Sequence, residues 1–266
     1  MRVVTWNCRR AKPSSLAWQY LLDLDPDIAL LQEVMGLPAP LSERWSHRLS
    51  SPAKKDGGVQ KFRSAILVRG RFLEPIGLRA REPWVNGLLE HFADNLPAWR
   101  IETASGKLLS VVNVYSPAWP VNRKMLDGMD TKGVQLELNK ELWVADLLWA
   151  ALRTEQLVRD PWVIGGDFNS SETFDSWPGG PRGNREFLDR MSAIGLSECL
   201  RESQGALTPT FRNPRGGAVV HQMDHLFVSE PLRTSLLACQ TGEPEVVFGS
   251  SLSDHLPIIS NFANFG

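Results

Sequence analysis

The stretch VIGGDFNSS, residues 163–171, places two glycines and then an acidic and an amide residue directly after a short apolar strand. Val163 and Ile164 are β-branched residues of the kind that fill buried strands. Asp167 and Asn169 follow, two residues apart. An Asx-type turn, in which these side chains bond their own backbone, would explain them. A catalytic edge would explain them equally well, because open α/β sheets carry their chemistry beyond the carboxyl ends of strands.

The composition is that of an ordinary globular chain. Of 266 residues, 42% are hydrophobic and 22% are charged, which permits a sizeable core. The net charge of -1 excludes attraction of polyanions by the whole surface, so a nucleic-acid partner would need local basic groups. Three cysteines make no disulfide framework and favour a reducing compartment. With no visible signal peptide or membrane-length apolar run, we expect a soluble cytoplasmic protein, monomeric by default.

Short apolar strands and helical patterns follow one another along the chain. Strands are predicted at 3–6, 28–31, 65–68, 111–115, 163–164, 225–228 and 258–262. A first helix is predicted to begin near Ser14 or Ser15. Apolar spacings of three and four predict a long helix over 134–152 and another over 185–194. No linker divides the chain, so we expect residues 1–266 to form a single domain.

Polar side chains recur where these strands begin or end. A single carboxylate there is more often a turn former or a helix cap, and a lone histidine is more often a surface group. The set becomes informative only when it is taken together with its sequence context. Its members are Asn7, Glu33, Tyr115, Asp167, Asn169, Asp224, Asp254 and His255.

Six short motifs around these residues resemble the endonuclease/exonuclease/phosphatase superfamily, with exonuclease III and deoxyribonuclease I among its members. The motifs are TWN (5–7), LLQEV (30–34), VNVY (112–115), GGDFNSS (165–171), QMDHLFVS (222–229) and SDHLPI (253–258). Each is short and weakly specific, but all six occur in the family's order over nearly the whole chain. The resemblance implies a four-layer α/β sandwich, two packed mixed β-sheets flanked by helices, with the site at one edge.

The resemblance also implies a divalent-metal-dependent hydrolase of phosphodiester bonds. Mg²⁺ (or Mn²⁺) would neutralise the charge that develops on the phosphoryl oxygens, and it takes only one or two protein carboxylates. Glu33 is the implied metal ligand, and Asp254 would bind or support the metal. Asp167 would orient and deprotonate the attacking water, with Asn169 and Asn7 aligning it.

Three further residues are implied to act on the phosphate. His255, held by Asp224, would donate to a phosphate oxygen. An adjacent carboxylate favours imidazolium, so we expect a charged His255 near neutral pH. Tyr115 would supply a phenolic donor.

Two long connections carry candidate substrate-binding residues. The connection after residue 115 contains Trp119 and Arg123, and the one after residue 169 contains Trp177 and Arg182. Long ordered loops often have a function, and aromatic rings stack on bases while cations meet phosphates. Packing of the loops and a solvated charged surface are the alternatives. Arg9 is a further candidate for contact with phosphate.

A tyrosine at position 115 resembles exonuclease III-like and retrotransposon-type endonucleases, whereas many phosphatase, lipase and deadenylase members have histidine there. DNA is therefore the expected substrate, and a DNA endonuclease or exonuclease the main prediction. Abasic-site specificity is in doubt, because Cys8-Arg9-Arg10 replaces a glycine-containing acidic or amide segment and His221 stands where tryptophan is frequent. A phosphatase or sphingomyelinase-like phospholipase is the alternative, followed by a non-catalytic binding module on the same fold.

Overall fold

The computed structural model describes residues 1–55, 57–213 and 218–263. Within these ranges the strands are β1 Arg2–Ala11, β2 Ile28–Val34, β3 Ser46–Ser50, β4 Arg63–Val68, β5 Gly70–Pro75, β6 Ala98–Thr103, β7 Leu108–Tyr115, β8 Trp162–Asp167, β9 Leu196–Glu198, β10 Asp224–Ser229, β11 Leu236–Thr241 and β12 Ile258–Phe262. The α-helices are α1 Ala17–Leu24, α2 Ala39–Arg44, α3 Pro83–His91, α4 Val144–Leu152, α5 Asn184–Ala193, α6 Cys199–Gln204, α7 Glu230–Arg233 and α8 Pro244–Val247.

The strands form two six-stranded mixed sheets. The first has the order β11-β12-β1-β2-β4-β3, and the second has the order β5-β6-β7-β8-β10-β9. Each contains one parallel pair, β1 with β2 and β7 with β8, among antiparallel neighbours. No helix in the described part of the chain is long and apolar enough to span a membrane.

Alternating side chains along the strands build the layers, because successive residues of a strand point to opposite faces. In β2, Ile28 and Leu30 join an apolar cluster between the sheets, to which β8 contributes Val163. Ala29 and Leu31 point the other way, into a cluster with α1, α2 and α8. A third cluster packs α3, α4 and α5 on the outer face of the second sheet. The expected four-layer α/β sandwich is confirmed.

The two glycines of VIGGDFNSS let β8 lie close to its neighbours. A Cβ on Gly165 would lie 2.7 Å from Leu226 Cδ1 and 3.1 Å from Leu30 Cδ1, which belongs to the facing sheet. Gly166 has φ +157°, and a Cβ there would overlap the carbonyl oxygen of Val114 on β7. The strand that carries Asp167 can therefore approach both the facing sheet and β7 only with glycine at these two positions.

The predicted strands are all present, and the predicted helix over 185–194 is α5. The long helix over 134–152 is wrong in its first half, since α4 begins at Val144. The Asp146 side chain accepts a hydrogen bond from the Trp143 N–H (2.8 Å) and fixes the start there, while Leu138 is 71% exposed. The first helix begins at Ala17 rather than at Ser14 or Ser15, and no side chain caps it.

A buried pair of amides joins the two sheets beneath their shared edge. Gln32 Nε2 donates to Asn113 Oδ1 across the sheets at 2.7 Å and to the Leu30 carbonyl at 3.0 Å. Asn113 Nδ2 donates to the carbonyls of Leu31 and Ala65, both at 3.0 Å. Both amide side chains are fully buried. Gln32 Oε1 has no partner among the described residues. The hydrogen bonds of the two amide nitrogens still favour one relative position of the sheets over alternatives.

Removal of this pair is expected to destabilise the fold. Asn113→Ala removes one of the acceptors of Gln32 Nε2 and the side-chain donor to two buried carbonyls, and a buried group left unsatisfied costs about 1–3 kcal/mol. Urea unfolding of Asn113→Ala, Gln32→Ala and the double variant measures the loss and the coupling. Asn122→Ala, which removes one exposed loop hydrogen bond donated by the Lys124 N–H, is the control. A loss for Asn113→Ala no larger than for this control would contradict the inference.

Candidate active site

One edge of the sandwich collects the polar residues at the strand ends. The parallel strands β1 and β2 end there in one sheet, and β7 and β8 end there in the other. In the second sheet Asp167 lies opposite Asp224 in the antiparallel pair and beside Tyr115 in the parallel pair. Asp254 and His255 lie a few residues before β12, which runs antiparallel to β1 and therefore starts at this edge.

A hydrogen bond between the sheets orients Asp167. Asn7, on β1, donates from Nδ2 to Asp167 Oδ2 at 3.0 Å, and its Oδ1 accepts from the Arg9 N–H at 3.0 Å. Asp167 Oδ1 accepts from the Asn169 N–H at 2.9 Å, and Asn169 Nδ2 donates to the Ser116 carbonyl at 2.8 Å. The carboxylate thus has both oxygens held while it is only 2% exposed.

His255 and Asp224 form a buried pair next to Asp167. His255 Nδ1 lies 2.8 Å from Asp224 Oδ2, which also accepts from the Thr210 hydroxyl at 2.7 Å. The histidine ring packs against Phe211, with 4.9 Å between the ring centroids. With Nδ1 engaged by the carboxylate, Nε2 is the ring nitrogen left to donate to a substrate.

The charges of this buried group are strongly coupled. Burial alone would lower the pKa of His255, but the charge and hydrogen bond of Asp224, with Asp167 and Asp254, raise the pKa to about 10. Burial raises the pKa of Asp167 to about 7, reinforced by Asp224 and opposed by His255 and the Asn7 hydrogen bond. The site therefore holds an imidazolium beside a carboxyl that titrates near neutrality.

Glu33 and Asp254 lie at the mouth of the site. Glu33 Oε2 lies 3.7 Å from Arg10 Nε, and Asp254 Oδ2 lies 3.4 Å from Arg9 Nε. Their side chains are 20% and 16% exposed. Burial raises the pKa of Glu33, against the lowering effects of Arg10, His255 and the Asn7 amide. These loose ion pairs leave both carboxylates available to a cation.

Among the described residues, the group of side chains that could hold a metal ion does not include Glu33 or Asp254. Asp167, Asp224 and His255 each place one possible ligand atom within 4.8 Å of the others. Asp224 Oδ1 is buried and has no hydrogen-bond partner among the described residues, so its lone pairs are unsatisfied. Because His255 is protonated and donates to Asp224, we regard it as a donor to substrate rather than a metal ligand. Hard carboxylate oxygens are what Mg²⁺ and Mn²⁺ prefer.

The backbone is strained at this edge. Both parallel strands of the first sheet lose their register here, β1 between Asn7 and Ala11 and β2 after Leu31. Non-glycine residues with left-handed backbone are uncommon, and such strain concentrates at functional sites. The described ranges contain six such residues, and four lie at this edge. Those four are Arg9 (φ 46°), Arg10 (φ 59°), Glu33 (φ 54°) and Asn169 (φ 48°).

Tyr115 closes the other side of the site and is 8% exposed. Its ring meets Phe62 edge-on, with 5.1 Å between centroids, and Arg10 lies 5.8 Å from the Phe62 centroid. Burial raises the pKa of Tyr115, and the charges of Glu33 and Asp167 raise it further. The phenol therefore stays protonated and can donate a hydrogen bond.

The loop after residue 169 is tightly folded and leaves one aromatic ring exposed. Trp177 is 49% exposed and meets the His221 ring at 5.0 Å, while Phe174 lies on that ring at 4.4 Å. His221 Nδ1 lies 2.7 Å from the Thr173 hydroxyl. The Arg182 guanidinium donates to the carbonyls of residues 174 and 175, so it folds the loop.

The other candidate substrate-binding side chains differ in their exposure and in the partners they already have. Trp119 is half-buried and packs against the helix-side core, with its ring 6.4 Å from Phe92. Arg123 is 82% exposed on its side chain and lies 3.3 Å from Glu141. Arg9, 47% exposed, is the one of these side chains beside the catalytic candidates, through Asp254.

Two supporting residues were missed in the sequence. Thr210 accepts from the backbone N–H groups of Met223 and Asp224 besides donating to the Asp224 carboxylate. Ser253 donates to the Asn7 carbonyl at 2.6 Å and accepts from the His255 N–H at 3.1 Å. Ser253 lies within the SDHLPI motif, whereas nothing in the sequence around Thr210 indicates its role.

The His255–Asp224 pair is expected to make stability depend on pH. The pKa of His255 is about 10 in the folded state, against about 6.5 in an unfolded chain. The pair therefore stabilises the fold fully below pH ~6.5, and this contribution is lost as pH rises to about 10. In His255→Gln an uncharged amide can still donate to Asp224. Urea unfolding should show a difference between wild type and variant that shrinks steadily from about pH 6 to pH 10. A difference independent of pH would show that His255 is not charged.

Comparison with known proteins agrees with this fold. A profile of the endonuclease/exonuclease/phosphatase family matches residues 4–255. We found no match among curated protein sequences.

Three solved structures are similar. An AP endonuclease from Archaeoglobus fulgidus has a TM-score of 0.68 at 15% identity, over 99% of this chain and 100% of that chain. The 3′ phosphatase NExo from Neisseria, bound to a product DNA hairpin, has a TM-score of 0.66 at 18% identity, over 99% and 100%. The catalytic domain of Xenopus laevis APE2 has a TM-score of 0.66 at 19% identity, over 98% and 91%. Because the profile spans most of its length, the chain belongs to the endonuclease/exonuclease/phosphatase family.

Proposed function

We propose that this protein is a metal-dependent nuclease that hydrolyses phosphodiester bonds of DNA. Phosphoester hydrolysis is the chemistry of its family. The observation that carries the proposal is the buried Asp167, whose two oxygens are held by Asn7 and Asn169 beside a charged His255. A turn former would need none of these partners.

Asp167 is proposed to be the general base. A base works best when its pKa lies near the operating pH, and burial raises that of Asp167 to about 7. Asn7 and the Asn169 N–H fix the carboxylate with one hydrogen bond to each oxygen, which leaves a lone pair on each oxygen to accept from a water molecule. Orientation of the water by a rigid base lowers the entropy lost on reaching the transition state.

His255 and Tyr115 are proposed to stabilise the phosphate. A protonated His255, fixed by Asp224 at Nδ1, can donate from Nε2 to a non-bridging oxygen as charge develops on it. The Tyr115 phenol stays protonated and supplies a second donor from the neighbouring strand. These donors are held before the substrate arrives, so they need little reorganisation in the transition state.

Glu33 and Asp254 are the proposed ligands for Mg²⁺ (or Mn²⁺). Both carboxylates reach the mouth of the site, and only loose arginine contacts neutralise them. When bound there, the ion would supply Lewis-acid polarisation of a phosphoryl oxygen and neutralise its charge. The unsatisfied Asp224 Oδ1 supports a further acceptor position for a cation or a water among the deeper carboxylates.

DNA is the proposed substrate because of the site and because of the structures to which the chain is similar. One similar structure, the NExo phosphatase, was solved with a product DNA hairpin, and the others are an AP endonuclease and APE2. Arg9 and Trp177 are the candidate contacts that remain exposed and near the site or its loop. Trp119 and Arg182 are supported less, since one packs on the core and the other folds its own loop. Arg123 is exposed but already paired.

The domain organisation, the location and the oligomeric state of the protein are also part of this proposal. Strands β1 and β12 pair side by side, which supports residues 1–266 working as one domain. All three cysteines are buried free thiols, as expected in a reducing compartment, and this supports a cytoplasmic location. We propose a monomer, since nothing in the site calls for a second copy.

Metal-dependent nicking of DNA tests the proposal. In the presence of Mg²⁺ or Mn²⁺, the purified protein should convert supercoiled plasmid to nicked circles, and EDTA should stop the reaction. Asp167→Asn should lower the rate about 10²- to 10⁴-fold, the usual contribution of a general base.

The control for this variant is Ser46→Ala, which removes one exposed hydrogen bond to the Gly70 carbonyl at the end of the first sheet opposite to the site and should leave the rate unchanged. Equal thermal midpoints of Asp167→Asn and wild type would exclude loss of folding. An intact plasmid with every divalent metal would contradict the nuclease, and hydrolysis of small or lipid phosphoesters would then identify a phosphatase or phospholipase.

A further inference from the structure

His225 is a buried polar residue that the proposed reaction does not use. It follows Asp224 in the motif QMDHLFVS and is 2% exposed. Because successive residues of a strand point to opposite faces, Asp224 points into the site and His225 points to the outer, helix-covered face of the second sheet. There the His225 ring meets Phe168 at 5.5 Å and stacks on Phe227 at 5.7 Å between centroids. Packing alone would account for an apolar ring at this place, so the hydrogen bonds of His225 decide whether it does more.

One ring nitrogen of His225 holds the segment that carries Asn169. His225 Nε2 lies 2.9 Å from the Ser170 carbonyl oxygen. A carbonyl oxygen can only accept, so Nε2 carries the proton of this hydrogen bond. Ser170 directly follows Asn169, whose N–H donates to Asp167 Oδ1 at 2.9 Å. The hydrogen bond from His225 thus fixes the chain just beyond the N–H group that orients the proposed base.

The backbone of Asn169 needs such support, because it is left-handed (φ 48°). A residue other than glycine keeps this conformation only where the surrounding contacts hold it. On the C-terminal side, His225 holds the Ser170 carbonyl. Asn184 Oδ1 accepts from the Ser170 hydroxyl at 2.8 Å and from the Ser171 N–H at 3.2 Å. Asn184 belongs to helix α5, whereas His225 belongs to β10, a strand that starts at the active-site edge.

The other ring nitrogen of His225 is held by Gln222, which is 1% exposed. Gln222 Nε2 lies 3.2 Å from His225 Nδ1 and 3.2 Å from Glu198 Oε1. Gln222 Oε1 accepts from the Thr208 N–H at 3.0 Å, so the amide nitrogen is the end that faces the ring. Glu198 Oε1 itself lies 3.7 Å from Nδ1, beyond hydrogen-bond distance. With an amide donor at Nδ1, the ring keeps its proton at Nε2, where the Ser170 carbonyl accepts it.

We propose that His225 is a positioning residue for Asp167. Gln222 orients its ring, and its hydrogen bond to the Ser170 carbonyl keeps the Asn169 N–H aimed at the carboxylate. The inference rests on the proposed function for the reaction that Asp167 performs, but the first of its two tests does not use cleavage. A rigid base keeps the attacking water in reacting geometry, and a misplacement on the order of 1 Å costs about 10²-fold in rate.

Two variants of His225 separate its hydrogen bonds from its packing. His225→Phe keeps an aromatic ring in the same packing but leaves the Ser170 carbonyl without this donor. His225→Gln gives up the ring but keeps an amide that can donate to the carbonyl. Ser229→Ala is the matched control. It removes a buried hydroxyl that donates to a backbone carbonyl, that of Asp160 at 2.7 Å, at the other end of β10.

Hydrogen exchange of the Asn169 N–H, measured by NMR without DNA or metal, tests the positioning directly. His225→Phe should speed this exchange about tenfold, the effect of one net hydrogen bond, and His225→Gln should stay close to the wild-type rate. The Arg69 N–H is the internal reference. It donates to the Asp27 carbonyl at 2.7 Å, at the end of the first sheet opposite to the site, and its exchange should not change. Equal acceleration of both N–H groups would show a general loss of stability and would overturn the proposal.

Steady-state cleavage of DNA tests the effect on the reaction. His225→Phe should lower kcat about 10- to 100-fold and leave KM unchanged, because the alignment of Asp167 matters in the transition state. His225→Gln should recover most of this loss, and Ser229→Ala should match the wild type. If His225 served only in packing, the order of the two His225 variants would be reversed, since phenylalanine keeps the ring and glutamine does not.

Gln222→Met leaves His225 in place and removes the donor to its Nδ1, so it replaces His225→Phe as the test if that variant does not fold. Exchange at Asn169 as slow as in the wild type would then overturn the proposal. Faster exchange that His225→Gln restores, without cleavage by the wild-type protein, would support the role of His225 and contradict the proposed nuclease. Cleavage by the wild type with unchanged exchange in His225→Phe, or with faster exchange but unchanged kcat, would do the reverse.

Discussion

The hydrogen bond between Gln32 and Asn113, fully buried between the sheets, is the constraint on which the rest of the site depends. It fixes how one sheet lies on the other just beneath the edge, since Gln32 directly precedes Glu33 and Asn113 lies two residues before Tyr115. With the sheets in this position, Asn7 on one reaches Asp167 on the other. A small slip of either sheet would separate this pair, because a hydrogen bond tolerates only a few tenths of an ångström. The apolar cluster between the sheets stabilises their packing without fixing their relative position, and the hydrogen bonds of the two amides fix that position.

The charged groups of the site lower the stability of the fold and are needed for its proposed chemistry. Asp167 and Asp224 lie opposite each other on paired strands and are almost fully buried, an arrangement that disfavours two ionised carboxylates. A protonated His255 offsets part of this, and a bound cation would offset more. Outside the pocket, Arg9 and Arg10 stand at loose ion-pair distance from the two proposed metal ligands, in strained backbone. The edge is thus less stable than a core filled with apolar residues would be, as expected of a site that must receive a phosphate and a metal.

The resemblance carried by the six motifs implied the fold and the clustered polar residues, whereas local pattern alone found seven of the twelve strands in the described residues. Strands such as β2 and β7 are continuous apolar runs, so local pattern identifies them. The edge strand β5 has mostly exposed residues and no such pattern, and it was missed. The prediction of a helix from Val134 was wrong because the spacing of its apolar residues does not reveal that Asp146 caps a helix that begins at Val144. Thr210 and Asn95 act through contacts with residues 14 and 20 positions away, which only the folded chain brings together.

The central claim is that the side chains at this edge act as one hydrolytic site. A double-mutant cycle on the rate of DNA cleavage tests it most directly, with Asp167→Asn, His255→Gln and the two together. Groups that act on the same transition state are strongly non-additive, so the double variant should lose little more rate than the worse single variant. Losses that multiply would show that the two residues contribute independently, and a His255→Gln rate equal to the wild type would remove the imidazolium from the chemistry.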